Sequence, residues 1–229
     1  MTLNEQAHQA FQKQDYETAL KLYKELSDQG DLKAMTTMGY FYHNGLGVTQ
    51  DYDQAITWYE KAAIEGEALG QFNLGLLYFN GLGVDQDAKK AFIFFEKAAV
   101  QGIMQAQYEL ALMFEHGNGV EKDLSKAAYW YEEAAKRGNM DAFNNLGTLF
   151  KEGHGVKQDF QKAFVLFKRA AESGHDKAQF NLGYMYDKGD GCEQNGELSL
   201  EWCRKAAYQG HEGAKAIIRQ LQDNGTIVF

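Results

Sequence analysis

Glycine recurs in this sequence at one fixed interval. The residues Gly30, Gly66, Gly102, Gly138, Gly174 and Gly210 stand 36 positions apart. They divide the chain into five repeats, 31–66, 67–102, 103–138, 139–174 and 175–210, with flanking segments 1–30 and 211–229. A period of this length is typical of stacked supersecondary units, because one copy cannot bury its apolar faces alone and several copies together can.

Each repeat contains two segments with helical periodicity, named A and B in chain order. In the first repeat, Ala34, Met38 and Tyr42 place side chains on one face of a helix in segment A. A Gly-x-Gly turn follows, and Asp51 then stands where it can cap the N-terminus of segment B. The glycine that closes the repeat favours a helix end. The sequence therefore predicts an all-α solenoid of helix-turn-helix repeats.

The two flanking segments are predicted to cap the stack. Residues 1–30 lack the Gly-x-Gly turn, so we expect a plain helical hairpin there. Residues 211–229 contain one further A-like helix, with Ala214 and Ile218 in the repeat register, and a tail. The last residues, 226–229, end in three apolar side chains that either fold back on the last helix or dock on another chain, which would allow self-association.

The repeated pattern A-x-x-x-L-G-x-x-Y-x-x-G-x-G-V-x-x-D-x-x-x-A-x-x-W-Y-x-x-A-A-x-x-G resembles the Sel1-like repeat, a relative of the tetratricopeptide repeat. It is clearest in 67–102 and 139–174. The resemblance implies a right-handed α/α superhelix forming a single solenoid domain over 1–229, with 1–30 as a tetratricopeptide-like cap. It also implies a scaffold or adaptor for other proteins. Bacterial members of the family are often linked to signalling, envelope contact or host contact.

Charge and motif content argue against several other classes of protein. The net charge is −9, with 32 acidic and 23 basic side chains, whereas a nucleic-acid binder needs a basic face. The Gly-x-Gly turns lack the Lys-Ser/Thr pair of a phosphate loop. The six histidines are scattered and do not have the spacing of metal ligands, so we expect them at the surface. We therefore expect no catalytic residue, metal or cofactor.

The expected compartment is the cytoplasm, because the N-terminus does not resemble a signal peptide and no apolar stretch is long enough to span a membrane. Secretion by a route without cleavage stays open.

Cys192 and Cys203 replace a valine and an aromatic residue of the other repeats, so we expect free buried thiols, with a disulfide between them as the alternative.

The candidate binding residues lie at segment A positions that vary between repeats. These positions form one helical stripe, called here the variable stripe, which in tetratricopeptide-like superhelices faces the inner groove. Its candidate groove residues are Lys33, Thr37, Tyr40, Asn44, Asn73, Leu76, Asn80, Glu109, Leu112, His116, Asn145, Thr148, Asn181, Tyr184 and Lys188. The recurring asparagines could bond a peptide backbone, and Tyr40, Leu76, Leu112 and Tyr184 could supply apolar pockets. The alternative is that the asparagines bond within the scaffold.

These patterns favour a non-enzymatic scaffold whose concave groove binds a peptide or helix of a partner protein. An inhibitor, an immunity-like protein or a host-directed effector stays open as a second hypothesis. A hydrolase of the β-lactam type is the least favoured, because the sequence offers no evident nucleophile and base.

Overall fold

The computed structural model describes residues 1–223, so the apolar tail at 226–229 lies outside the described residues. Within 1–223 the chain forms thirteen α-helices and no strand. Odd-numbered helices are A helices and even-numbered helices are B helices. Their bounds are α1 Leu3–Gln12, α2 Tyr16–Asp28, α3 Leu32–Asn44, α4 Tyr52–Ile64, α5 Ala68–Asn80, α6 Ala88–Val100, α7 Met104–His116, α8 Leu124–Lys136, α9 Met140–Glu152, α10 Phe160–Glu172, α11 Asp176–Lys188, α12 Gly196–Tyr208 and α13 Glu212–Asp223.

The helices fall into two compact units. The N-terminal unit, Met1–Lys122, holds α1–α7, and the C-terminal unit, Asp123–Phe229, holds α8–α13. Within each unit, every helix packs against the next one in the chain. The predicted all-α solenoid of helix-turn-helix repeats is confirmed, whereas a single solenoid domain over 1–229 stays a prediction.

The ends of the B helices follow the sequence pattern closely. The side chain of Asp87, for example, accepts a hydrogen bond of 3.0 Å from the backbone N–H of Lys90. The same cap recurs at Asp51, Asp123, Asp159 and Asn195. The glycines that close the repeats have φ between 88° and 103°, a region that side chains disfavour. Both predicted signals therefore fix the helix bounds.

The Gly-x-Gly turns are structural, as the sequence analysis expected. Gly189 and Gly191 both have positive φ, and a Cβ on Gly191 would lie 2.2 Å from the backbone oxygen of Phe160 in the preceding B helix. A glutamine in the turn then donates to a carbonyl at the end of the A helix, as in the 2.6 Å bond from Gln194 Nε2 to Asp187 O. The sequence analysis missed this recurring glutamine, which also stands at Gln50, Gln86 and Gln158.

In three repeats the core places a glycine of the A helix against a large aromatic residue of the B helix. A Cβ on Gly39 would lie 2.5 Å from ring atoms of Tyr59, and the same pairing joins Gly75 to Phe95. The rings of Tyr59 and Phe95 are almost fully buried, and burial raises the pKa of the Tyr59 hydroxyl. The two helices can approach closely because one of them has no side chain at the crossing.

The last repeat uses a cysteine at this core position. Cys203 is buried and lies against Gly183, whereas Cys192 is half-buried in the turn, with its Sγ 3.6 Å from the carbonyl oxygen of Met185. Both thiols are free, as preferred over the disulfide, but only Cys203 is buried, so the expectation of burial is wrong for Cys192. Burial raises the pKa of both thiols.

Candidate functional site

The N-terminal unit has a cavity of about 270 Å³ on the side of its variable stripe. Helices α1, α2, α3 and α5 each contribute to its wall. Two of the apolar side chains around it stay substantially exposed, Tyr40 at 44% and Leu69 at 47%. The complete lining is His8, Phe11, Tyr23, Thr36, Thr37, Tyr40, Leu69 and Asn73.

The leading hairpin supplies part of this cavity, which the sequence analysis did not anticipate. The ring of Phe11 packs 6.3 Å from the ring of Tyr40 and 5.8 Å from the ring of Phe41, measured between centroids. Helix α1 starts 29 residues before α3, from Leu3 to Leu32, so its side chains are out of the 36-residue register. The aromatic residues of segment 1–30 were the sequence feature that could have indicated this contribution to the cavity.

Three polar stripe residues of this unit bond to their own helix. The hydroxyl of Thr37 donates to the carbonyl of Lys33 at 2.9 Å. The amides of Asn44 and Asn80 donate to carbonyls four residues earlier, each at 2.9 Å. The half-buried Asn73 differs, because within residues 1–223 its side chain makes no hydrogen bond, although it lines the cavity.

The stripe asparagines of the C-terminal unit bond within the scaffold. Asn145 Nδ2 donates to the hydroxyl of Tyr131 at 3.2 Å. Asn144 Nδ2 donates to Asn145 Oδ1, and Asn144 Oδ1 accepts from Asn181 Nδ2 at 2.9 Å. Thr148 donates to the carbonyl of Asn144. Asn145 and Asn181 therefore each donate a hydrogen bond within the scaffold, as the alternative interpretation of the asparagines expects.

Tyr184 marks a second cavity, of about 340 Å³, formed by α11, α12 and α13. Tyr184 is 44% exposed, and the ammonium groups of Lys151 and Lys188 each lie 5.7 Å from its ring centroid. A 2.8 Å hydrogen bond to Asp187 raises the pKa of the Lys188 ammonium group. Apolar side chains such as Leu221 line the interior, so this cavity can hold an apolar side chain.

Helix α7 carries the remaining stripe residues of the N-terminal unit. His116 is exposed at its end, Leu112 is half-buried, and burial raises the pKa of the Glu109 carboxyl group. Leu76, on α5, packs partly against the core cluster that contains Phe95. Of the candidate groove residues, Thr37, Tyr40 and Asn73 therefore line one cavity and Tyr184 lines another, while the others lie outside both.

Two histidines serve as helix caps and not as the exposed residues that the sequence analysis expected. His175 Nδ1 accepts a hydrogen bond from the backbone N–H of Ala178, and its Nε2 lies 3.1 Å from a carboxylate oxygen of Asp141. His211 caps α13 in the same way and stacks on Phe180. The sequence could have indicated this role, because both histidines stand at the position where Asp31 and Asn139 cap other A helices. Capping of the local helix therefore accounts for both histidines.

Residues 1–223 contain no group of three or more His, Cys, Asp or Glu side chains that could hold a metal ion. None of their helices combines the length and the apolar character that a membrane span requires.

Comparison with known families supports the resemblance seen in the sequence. A family model described as the Sel1 repeat matches residues 8–31, 32–67, 68–103, 105–139, 141–175 and 176–211. The matches cover most of the chain and include the leading hairpin, so the resemblance is confirmed. A search of curated proteins gave no significant match.

Solved structures show the same fold. A protective antigen of uropathogenic Escherichia coli with an SLR fold is 33% identical, with a TM-score of 0.87 over 92% of this chain. This chain spans 45% of that antigen's length. A Sel1 repeat protein from Oxalobacter formigenes is 31% identical, with a TM-score of 0.85 over 94% of this chain and 86% of that one.

A third solved structure shares the fold alone. It is an immunity protein from Pseudomonas aeruginosa, 19% identical, with a TM-score of 0.53 over all of this chain and 86% of that one.

Proposed function

The chain belongs to the Sel1 repeat family, and from this premise we propose that it is a non-enzymatic scaffold that binds a peptide or helix of a partner protein on its variable stripe. The observation that carries the proposal is the cavity at Tyr40. Its wall joins half-exposed apolar side chains to an amide, that of Asn73, that makes no hydrogen bond within residues 1–223.

This combination has the chemistry of a peptide site. An apolar side chain of the partner can enter the cavity between Tyr40 and Leu69, while the Asn73 amide can donate to and accept from the partner's backbone. Aromatic residues in partly enclosed pockets commonly supply most of the binding energy of an interface. The cavity at Tyr184 offers a second apolar pocket in the C-terminal unit.

The test starts from a displayed library of linear peptides selected on the full chain. Affinities of the selected peptides are then measured by fluorescence anisotropy for the wild type, Tyr40→Ala and Leu69→Ala. We expect Tyr40→Ala to weaken binding about tenfold or more, since loss of an aromatic anchor costs ~2 kcal/mol. Circular dichroism checks that the variants keep their helical content.

Ile93→Ala is the matched control. Ile93 lies in the same unit and is 47% exposed, as Leu69 is, but it belongs to the B helix α6. We expect this variant to bind as the wild type does. Equal losses in Leu69→Ala and Ile93→Ala, or unchanged binding in Tyr40→Ala, would show that the variable stripe is not the binding face.

The finer parts of the proposal are an adaptor role and a cytoplasmic site of action in a bacterium. The bacterial sources of the two structures above 30% identity support a bacterial origin. Fractionation of cells that express the full-length protein tests the compartment, and recovery in the medium or the envelope would contradict it.

A further inference from the structure

Glu109 is a half-buried carboxylate without a charge partner. Within residues 1–223 it makes no hydrogen bond or ion pair. Burial is the cause that raises the pKa of its carboxyl group, and no neighbouring cation offsets that effect. A carboxylate taken partly out of water without a partner costs stability, so its presence needs an explanation.

The position of Glu109 connects it with the candidate binding face. It stands at the stripe position that holds Asn73 one repeat earlier, and Asn145 and Asn181 in later repeats. The amides of Asn145 and Asn181 are bonded inside the scaffold, whereas Asn73 and Glu109 are not. The two side chains at this register that make no hydrogen bond within residues 1–223 are therefore on neighbouring A helices of the N-terminal unit, α5 and α7.

The surroundings of Glu109 on the stripe of its own helix carry no charge. Gln105 lies four residues before it and Leu112 three residues after it. A cationic side chain brought by a partner would meet a single half-buried acceptor, where an ion pair is stronger than at an open surface. The net charge of −9 also favours approach of a basic segment.

We infer that the N-terminal unit recognises a partner segment in which an apolar or aromatic residue, held in the cavity at Tyr40, is accompanied by a lysine or arginine that pairs with Glu109. This inference rests on the proposed function and specifies the chemistry of the partner. Asn73, between the two contacts in repeat order, would bond the backbone of the segment.

The binding test uses peptides selected from the displayed library on the full chain, measured against Glu109→Gln. We expect the selected peptides to carry a lysine or arginine. We also expect Glu109→Gln to lower their affinity about tenfold, which corresponds to a loss of ~1.4 kcal/mol. Replacing the peptide's basic residue by alanine should weaken binding to the wild type and have little further effect on Glu109→Gln.

A stability measurement separates this role from a structural one. Removing a half-buried charge that has no partner should raise the urea midpoint of Glu109→Gln at neutral pH. Because the pKa of Glu109 is raised in the folded state from 4.5, the folded chain gains stability as the pH falls through that raised value, and the advantage of the variant should then disappear. Glu96→Gln, an exposed residue of α6, is the control with the same change in charge and no expected effect.

The outcomes distinguish the inference from the proposed function. If selected peptides show no basic preference and bind Glu109→Gln normally, yet are lost in Tyr40→Ala, the cation contact is refuted and the binding face stands. If Tyr40→Ala also binds normally, the proposed function is refuted. A lower urea midpoint for Glu109→Gln at neutral pH would show that Glu109 stabilises the free chain, and would overturn the inference.

Discussion

Close packing of A and B helices predicts that an added methyl group at Gly75 destabilises the N-terminal unit. A Cβ there would lie 2.7 and 2.8 Å from two ring atoms of Phe95. The Phe95 ring is fully buried and is flanked by the rings of Phe72 and Phe79, with centroids 5.7 and 6.1 Å away, so it has little room to move.

The magnitude follows from two opposing terms. Overpacking a core costs ~1–3 kcal/mol, and contacts this short against a held ring favour the upper part of that range. Alanine is a better helix former than glycine by ~1 kcal/mol in a helix interior. The net expectation for Gly75→Ala is a loss of about 1–2 kcal/mol of unfolding free energy.

Gly196→Ala is the matched control. Gly196 is the first residue of α12, and a Cβ there would meet nothing within 4 Å. The same substitution is therefore expected to stabilise by ~0.4–1 kcal/mol, since it reduces the freedom of the unfolded chain. If the two Gly→Ala substitutions change the unfolding free energy in opposite directions, the local environment of each glycine, and not helix propensity, decides the result.

Hydrogen exchange read by mass spectrometry is the suitable assay, because it follows α5–α6 and α12 separately and does not assume that the chain unfolds in one step. Gly75→Ala should speed exchange in α5 and α6 under native conditions, and Gly196→Ala should leave them unchanged. If Gly75→Ala exchanges as slowly as the wild type or more slowly, the argument from close helix approach is wrong.

Two further predictions concern single side chains of the last repeats. Gln209→Ala removes the 2.8 Å donor to the Oε1 of the buried Gln179, so we expect a loss of ~1–3 kcal/mol in urea unfolding and no comparable loss for the exposed Gln220→Ala. Iodoacetamide should modify the half-buried Cys192 faster than the buried Cys203 in the native chain. Equal losses, or equal rates of alkylation, would contradict these assignments.

The fold could be predicted from the sequence because its determinants are local and repeated. Asp87, for example, must lie before a helix for its cap to form, and its copies every 36 residues give the helix starts. Gly39 and Tyr59 recur as a small and a large residue at fixed positions, which marks the helix contact.

The candidate site was predicted only in part, because it depends on contacts between distant residues. Phe11 reaches the cavity from a hairpin whose spacing differs from that of the repeats. Asn145 and Asn73 occupy the same repeat position, yet only Asn145 bonds inside the scaffold, through Tyr131. The sequence shows Glu109 at this position but does not show that its carboxylate lacks a partner.

The most direct test of the binding face is photo-cross-linking of a selected peptide to the full chain. The peptide carries a photoreactive group in place of its apolar anchor, and the attachment sites are mapped by mass spectrometry. We predict attachment to α3 and α5 around Tyr40, Leu69 and Asn73. Attachment concentrated on the B helices, for example around Ile93, would contradict the assignment of the variable stripe as the surface that binds a partner.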